Sequence, residues 1–373
     1  MLTDKTRLND FPALASMTYL NTAAESIPPV SVNEALAQYA RDKGLGMRGR
    51  RLHNETLAVC REVAARMIGL QTDEVSFCSC SSEAYNLLAS ALNLGANDEV
   101  VITDLDFPAG ATPWLNAAKP PNVKLWKAKA GALDANDLPA LLNERTRLVQ
   151  VSLVSFFNGH RLDWAPFIAA VREHAPGAKV AVDVTQALGR VELDCVNFDV
   201  LISSTHKWVL GVHGGCIVGI PKNKNEITTH AGGWFHLENA FDADRFERTV
   251  PKQGAASFSV GMPNYAAIYA LNAALRYIEN VGVANIAAHA NPLVAQLEDG
   301  LHELGLTLMA MQREGNFSGI LAFRHERSEA IHAQLEAAEV HVMNHAGRLR
   351  MALHGYNTAA DMDKFLSVLK CAL

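Results

Sequence analysis

Short apolar runs alternate with helical patterns over about residues 55–220 of the chain. The runs are rich in β-branched residues and predict seven strands, at residues 75–78, 99–103, 123–126, 148–153, 180–183, 200–203 and 215–219. The segments between them, such as residues 164–174, carry apolar positions at the three-to-four spacing of a helix. Continuous apolar strands separated by helices predict an α/β fold, with a mostly parallel sheet that helices cover on both faces.

The pattern changes near residue 263. A long helical pattern at residues 265–280 leads into alanine-rich helical segments, and only residues 318–323 and 349–353 are strand candidates there. This change predicts a second, smaller α+β domain beside the large one. We therefore place the large domain at residues 17–262 and the small C-terminal domain at residues 263–373. We expect residues 1–16 to join the small domain.

Composition restricts the classes of partner. Of 373 residues, 49% are hydrophobic and 19% are charged, as in ordinary globular proteins, and the net charge is −6. Without a basic stripe, neither a nucleic acid nor an anionic membrane is expected as partner. No apolar run approaches the roughly 20 residues that span a bilayer, and the first residues lack the apolar run of a secretory signal, so we expect a cytoplasmic protein. Cys78 and Cys80 have no second cysteine or histidine pair, so no metal site is expected.

Two ionisable residues follow predicted strands. Lys207 stands just after the strand at 200–203, among small and hydroxylated residues that let a bulky cofactor approach. Burial lowers the pKa of a lysine and prepares it to form a Schiff base with an aldehyde, and this position favours that role over a surface-loop lysine. Asp183 ends the strand at 180–183 and needs a partner to stay ionised. That partner is either a protonated ring nitrogen or the backbone of a helix that Asp183 caps.

Other polar residues could complete a cofactor site. Ser79, Ser81 and Ser82 precede a helical pattern, where backbone N–H groups and the helix dipole favour a phosphate; an ordinary serine cap is the alternative. Phe107, after the strand at 99–103, either stacks on a ring or lies in the core. Arg350 either grips a substrate carboxylate or makes a surface ion pair.

These motifs together resemble the class V aminotransferase superfamily. The resemblance is carried by residues 81–86 (SSEAYN), by Asp183 with Gln186, by Ser204-x-His206-Lys207, and by Arg350 followed by residues 356–358 (YNT). It runs from Tyr19 almost to the C-terminus and is strongest towards cysteine desulfurase, selenocysteine lyase and isopenicillin N epimerase-like proteins. It implies fold type I, pyridoxal 5'-phosphate as cofactor, an amino-acid substrate, and a homodimer with active sites at the subunit interface.

The resemblance also implies roles for individual residues. Lys207 would form the aldimine, Asp183 would pair with the pyridine nitrogen, and Gln186 would meet the ring hydroxyl. The phosphate would be held by a set of polar side chains, namely Ser81, Ser82, Ser204 and His206. Phe107 would stack on the ring, Asn158 would lie near it, and Arg350 would bind the substrate carboxylate.

Three departures from the family pattern limit the functional expectation. Desulfurases and selenocysteine lyases have a cysteine shortly before the substrate arginine, but no cysteine occurs here between Cys216 and Cys371. Phe107 stands where many members have a stacking histidine, as in the epimerase-like branch. Met262 stands where many have a threonine that contacts the phosphate of the other subunit.

We therefore expect an enzyme that acts at the α- or β-carbon of an amino acid. The favoured reaction is that of a C–S lyase or epimerase-like member without the persulfide cysteine. An aminotransferase is the alternative. A catalytically inactive cofactor-binding protein is the second alternative, and the joint presence of Lys207, Asp183, Gln186 and Arg350 argues against it.

Overall fold

The structure, a computed structural model, describes residues 4–312 and 316–373. Its strands form three sheets within these ranges. In chain order the strands are β1 (Thr18–Tyr19), β2 (Val75–Cys78), β3 (Glu99–Thr103), β4 (Asn122–Trp126), β5 (Thr146–Ser152), β6 (Lys179–Asp183), β7 (Val200–Ser204), β8 (Cys216–Gly219), β9 (Ile320–Arg324), β10 (Val340–His341), β11 (Met343–His345) and β12 (Arg348–Ala352).

The α-helices flank these strands along the whole described chain. In chain order they are α1 (Asp4–Asp10), α2 (Val30–Lys43), α3 (Gly49–Ile68), α4 (Ser81–Leu92), α5 (Pro108–Leu115), α6 (Trp164–His174), α7 (Tyr265–Val281), α8 (Val283–Glu303), α9 (Ser328–Ala337) and α10 (Ala359–Ala372).

The large sheet has seven strands in the order β2-β8-β7-β6-β5-β3-β4. Only the pairings of β8, with β2 and with β7, are antiparallel. Since β8 runs opposite to both neighbours, β2 runs in the same direction as β7, and six strands end at the same edge of the sheet. All seven strands predicted from the apolar runs are present, which confirms the expected mostly parallel sheet.

The strand sequences explain why the sheet is covered on both faces. Successive residues of a strand point to opposite faces, so a strand that is apolar throughout buries both. Helices α3, α6 and α7 supply the core on one face, and α4 and α5 supply it on the other. Three pairs of neighbouring residues divide between these two cores, namely Val100 and Val101, Leu148 and Val149, and Val200 and Leu201.

The smaller α+β unit is built on an antiparallel sheet in the order β11-β12-β9. Leu297 of α8, Leu335 of α9 and Phe365 of α10 pack in its core. The two strands predicted here appear as β9 and β12, and the predicted α+β character is confirmed. Strand β11 was missed because none of its three residues is buried, so it carries no apolar alternation.

The N-terminal segment pairs with this smaller unit, because β1 runs parallel to β10 with Thr18 opposite Val340. Residues 1–3 of the segment predicted to join the small domain lie outside the described residues. Helix α7 packs against α2 and α3, and its Ile268 and Leu271 belong to a core of the large sheet. The domain boundary at residue 263 stays a prediction.

The described ranges contain no helix with both the length and the apolar character needed to cross a bilayer. The cytoplasmic location stays a prediction.

Candidate active site

A cavity opens at the edge of the large sheet where the parallel strands end. It is lined by eleven residues, namely Ser81, Phe107, Ser152, Val154, Phe156, Asp183, Thr185, Gln186, Ser204, His206 and Lys207. Seven of them were predicted as site residues from the sequence. These residues meet in one cavity because many of them follow the carboxyl ends of parallel strands, which is where ligands of parallel sheets bind.

Lys207 lies in a loop that follows β7 and is held tightly by its backbone. The Thr205 hydroxyl lies within hydrogen-bond distance of the carbonyl oxygens of Val212 and Gly215, and the Gly211 N–H donates to Thr205 O. A side chain at Gly215 would come within 2.6 Å of the Thr205 hydroxyl, so the loop closes only with glycine there. The loop therefore fixes Lys207 at the cavity wall.

The Lys207 ammonium is set up to lose its proton. Burial lowers the pKa of Lys207 to about 8; the Asp183 carboxylate opposes this shift and the Arg350 guanidinium adds to it. Its Nζ lies 5.4 Å from the centroid of the Phe107 ring. About a tenth of this amine is thus neutral and nucleophilic at pH 7, far more than for a lysine of ordinary pKa.

Asp183 is the last residue of β6 and is buried, with 9% of its surface exposed. Its two oxygens have separate partners: Oδ2 accepts from the Tyr85 hydroxyl at 2.8 Å, and Oδ1 accepts from the Thr185 N–H at 2.8 Å. The residues after Asp183 form turns, so the alternative in which it caps a helix is wrong. The carboxylate is held rigidly at the cavity wall, where it can face a cation.

Gln186 also has a fixed side chain. Its Nε2 donates to the carbonyl oxygen of Ala23 at 3.0 Å, and its Oε1 accepts from the Trp208 indole at 2.6 Å. Since the amide has two N–H groups, one donor remains beyond these contacts. Gln186 thereby ties the N-terminal segment and the Lys207 loop to the cavity.

The other side of the cavity offers donors for an anion. Helix α4 begins at Ser81, and no side chain caps its first N–H groups. Glu83, which could cap them, instead accepts from the backbone and hydroxyl of Ser79. Burial, then Lys207 and His213, lower the pKa of His206 to about 4, so it is neutral and can act as a donor at one ring nitrogen.

Phe107 and Phe156 form the aromatic wall. Their rings meet edge to face, with centroids 5.0 Å apart and an interplanar angle of 84°. Phe107 is 46% exposed, which is high for a phenylalanine, and its ring borders the cavity. The interpretation of Phe107 as a core residue is therefore wrong, and an apolar face is available to a flat ring.

Three predicted residues lie outside the cavity lining. Ser82 is exposed beside Ser81. Asn158 is buried, donates to Gly131 O at 2.7 Å and accepts from the His160 N–H at 3.0 Å, so its amide stabilises the local turn. Arg350 is buried beside the cavity wall, where its Nη1 donates to the carbonyl oxygen of Phe156 at 2.6 Å and its charge acts on Lys207. The alternative in which Arg350 makes a surface ion pair is wrong.

Four lining residues were not singled out from the sequence, namely Ser152, Val154, Phe156 and Thr185. Ser152 ends β5 directly opposite Asp183, so the rule that located Asp183 could have found it. Thr185 stands between Asp183 and Gln186, and its hydroxyl accepts from the Ser204 N–H. Val154 forms an isolated bridge with Arg161 and Phe156 lies in the turn between them, and neither position carries a local signal of a site.

The residues present fit a flat aldehyde cofactor that carries a phosphate and a basic ring nitrogen. An amine, a buried carboxylate and an aromatic face line the same cavity, together with Ser204, His206 and Ser81, where a helix begins without a side-chain cap. This donor set matches each chemical part of pyridoxal 5'-phosphate.

Comparison with known proteins agrees over nearly the whole chain. An uncharacterized aminotransferase, YcbU, of Bacillus subtilis (strain 168) is 28% identical, covering 94% of this chain and 93% of that protein. A cysteine desulfurase of Klebsiella pneumoniae is 26% identical, and the match covers 97% of this chain and 96% of that protein.

A solved structure of the cystine C–S lyase C-DES, in complex with its reaction product cysteine persulfide, superposes with a TM-score of 0.88. It is 21% identical and covers 96% of this chain and 99% of that one, a likeness that concerns the fold. The family model for aminotransferase class-V matches residues 18–365. This chain belongs to the aminotransferase class-V family, and its fold is that of the fold type I enzymes.

Proposed function

We propose that this protein cleaves the C–S bond of an amino acid without a persulfide cysteine of its own, or carries out an epimerase-like reaction at the α-carbon. As a class-V family member it is a pyridoxal-phosphate-dependent enzyme that acts on amino acids. The observation that carries the proposal is the meeting of Lys207 and Asp183 at a cavity that fits this cofactor. The joint presence of Lys207, Asp183, Gln186 and Arg350 argues against an inactive cofactor-binding protein.

Asp183, Lys207 and Arg350 have separate roles in the proposed reaction. The bound cofactor supplies an electron sink for carbanion chemistry at the substrate. Asp183, held by Tyr85 and Thr185, keeps a negative charge at the ring nitrogen. Lys207 would bind the cofactor through its amine and would move a proton at the α-carbon of the substrate. Arg350 orients the substrate through its carboxylate.

The departures from the family pattern favour release of sulfur to solution. None of the cavity-lining residues in the described ranges is a cysteine, and the sequence has none between Cys216 and Cys371. C–S cleavage in this chain would thus proceed without transfer of sulfur to an active-site thiol. The proposal is supported by the fold shared with a cystine C–S lyase.

Transamination is the second candidate, and the relative described as an aminotransferase favours it. The two reactions differ in their products. With cysteine or cystine as the only substrate, the lyase releases a keto acid and ammonia in equal amounts over many turnovers. An aminotransferase stops after one turnover unless a second keto acid is added. Ammonia release without an added keto acid, absent from a Lys207→Ala control, supports the lyase; strict dependence on the keto acid overturns it.

The pH dependence of cofactor incorporation is a further prediction. Only the neutral amine attacks an aldehyde, and burial lowers the pKa of Lys207 from 10.5 to about 8. The rate of cofactor binding to the apoprotein should rise with pH through about 8 and then level off. Stopped-flow absorbance of the bound cofactor measures this rate. A rate that keeps rising towards pH 10 would mean a lysine of ordinary pKa.

We also propose that the chain forms a homodimer with active sites at the interface. Phe241 is 82% exposed, Phe246 is 90% exposed and Met262 is 41% exposed, in a segment that precedes α7. Large apolar side chains exposed on a surface favour association. Sedimentation velocity should return twice the 40.4-kDa mass of the chain, and Phe246→Glu should weaken this dimer. A monomer at micromolar concentration would contradict the proposal.

A further inference from the structure

Three arginine side chains lie along one face of the small antiparallel sheet. Arg348 and Arg350 are two residues apart in β12, so they point to the same face. Arg324 of β9 is directly opposite Arg348 in the strand pairing and shares that face. We call Arg350, Arg348 and Arg324 the arginine row. Arg350 and Arg348 are 2% and 1% exposed, and Arg324 is exposed at the outer end.

The arginine row runs outwards from the wall of the active-site cavity. Arg350 and Arg348 donate to the carbonyl oxygens of Phe156 and Phe157, each at 2.6 Å. The Arg348 guanidinium lies 4.2 Å from the Phe157 ring centroid, and that of Arg324 lies 5.9 Å from it. Since Phe156 lines the cavity with Lys207, the row begins at the wall of the cavity.

The charges of the arginine row have no counterion among the residues that the structure describes. Within residues 4–312 and 316–373, no carboxylate forms an ion pair with any of the three. The buried Nε atoms of Arg348 and Arg350 lack hydrogen-bond partners. Burial, with a smaller contribution from the Arg348 charge, lowers the pKa of Arg350 to about 9. Burial, with a smaller contribution from the Arg324 charge, lowers the pKa of Arg348 to about 10. Buried, uncompensated charge of this kind is costly to stability.

A substrate with a single carboxylate would leave most of this positive charge unpaired. In the proposed function, Arg350 takes the α-carboxylate. Arg348 is two residues from Arg350 on the same face of β12, which places it about 7 Å from Arg350 along the strand. Arg324 is paired with Arg348 on the neighbouring strand. Guanidinium groups bind carboxylate, sulfinate and phosphate-like oxygens through paired hydrogen bonds, which ammonium groups do not match.

We infer that the arginine row binds a second anionic group on the substrate, so that the enzyme acts on an amino acid with an acidic side chain. This inference rests on the proposed function, since it assumes that Arg350 holds the α-carboxylate. Arg348 and Arg324 are the specificity-determining residues. The shared chemistry is a negatively charged group at the end of a short side chain, either a carboxylate or an oxidised sulfur acid.

Paired substrates test the inference with the holoenzyme. Aspartate with asparagine and glutamate with glutamine, assayed for proton exchange at the α-carbon, and cysteine sulfinate with cysteine, assayed for C–S cleavage, each differ in side-chain charge. For at least one pair, kcat/KM should favour the acidic member by about ten-fold or more, as expected for one charged hydrogen bond. The pair that shows the preference separates carboxylate from sulfinate substrates. A preference for the neutral member in every pair overturns the inference.

Variants of the row separate binding from a structural role. Arg348→Met keeps an apolar stem against Phe157 and removes the charge, so the preference should fall towards one, mainly through KM. Arg348→Lys should recover part of it. Equal loss for both members of a pair would mean a structural role only and would overturn the inference. Arg324→Gln, at an exposed site that leaves folding intact, should also reduce the preference. An unchanged kcat/KM ratio between the acidic and the neutral member of the pair would contradict a role for Arg324 in specificity.

A matched control and a binding measurement complete the design. Arg147→Gln removes an exposed arginine near the start of β5, at the opposite edge of the sheet, and should leave the preference unchanged. By calorimetry, succinate should bind the holoenzyme about ten-fold more tightly than butyrate, which lacks the second carboxylate; equal binding overturns the inference. If no amino acid alters the absorption of the bound cofactor, the proposed function fails as well. If neutral amino acids are turned over and no pair shows a preference for its acidic member, the inference about the arginine row is overturned but the proposed function stands.

Discussion

Lys207→Ala should lower kcat by about 10³-fold or more, because the variant loses both the group that binds the cofactor and the group that moves the substrate proton. Lys207 is the only lysine among the described residues that line the cavity. Steady-state rates with the best substrate measure the effect. Borohydride reduction of the wild-type holoenzyme should fix the cofactor to the peptide that contains Lys207, as mass spectrometry of the digest would detect.

Lys119→Ala is the matched control, since Lys119 is exposed and lies outside the cavity. It should retain wild-type turnover and the wild-type pattern of borohydride labelling. Label on another lysine would refute the assignment of the cofactor to Lys207. Wild-type turnover by Lys207→Ala would remove this lysine from the mechanism.

Asp183→Asn should lower kcat by about 10²-fold, a typical loss for one fixed electrostatic partner of the reacting system. The substitution keeps the shape and leaves an amide oxygen to accept from Tyr85 or Thr185, so folding is preserved. It removes the negative charge that keeps the ring nitrogen of the cofactor protonated, and with it much of the electron sink.

A second measurement isolates the charge of Asp183. Its attraction raises the pKa of Lys207 against the larger effect of burial. Without it the pKa of Lys207 falls further below about 8, so the rise of cofactor incorporation with pH should move to lower pH. Asp163→Asn, at an exposed position before α6, is the control and should change neither quantity. An unchanged kcat and an unshifted profile would show that Asp183 has no partner in the cofactor.

The large sheet was predictable because its information is local. A strand buried on both faces must be apolar at every position, so β3, β5, β6 and β7 stand out as continuous runs. Their parallel arrangement follows from the helices between them, and it predicts that Asp183 and Lys207 meet at the same edge. The short, partly exposed β11 carries no such pattern and was missed.

Contacts between distant segments were not predictable. Tyr85 and Asp183 are 98 residues apart in sequence, yet their side chains share a hydrogen bond. Asn158 was expected near the cofactor ring, but its amide is taken up by Gly131 and His160. Which partner such a buried polar side chain finds depends on how loops fold back on the sheet.

The sequence by itself determined the α/β sheet, the small α+β unit and the lysine and aspartate that end up in one cavity, because burial and strand direction act on neighbouring residues. Only the tertiary structure decided that Arg348 and Arg324 extend the charge of Arg350 outwards from that cavity. Arg324 and Arg348 lie on different strands, so the pattern within either strand does not show that the two residues are paired. The substrate specificity proposed here therefore follows from that pairing.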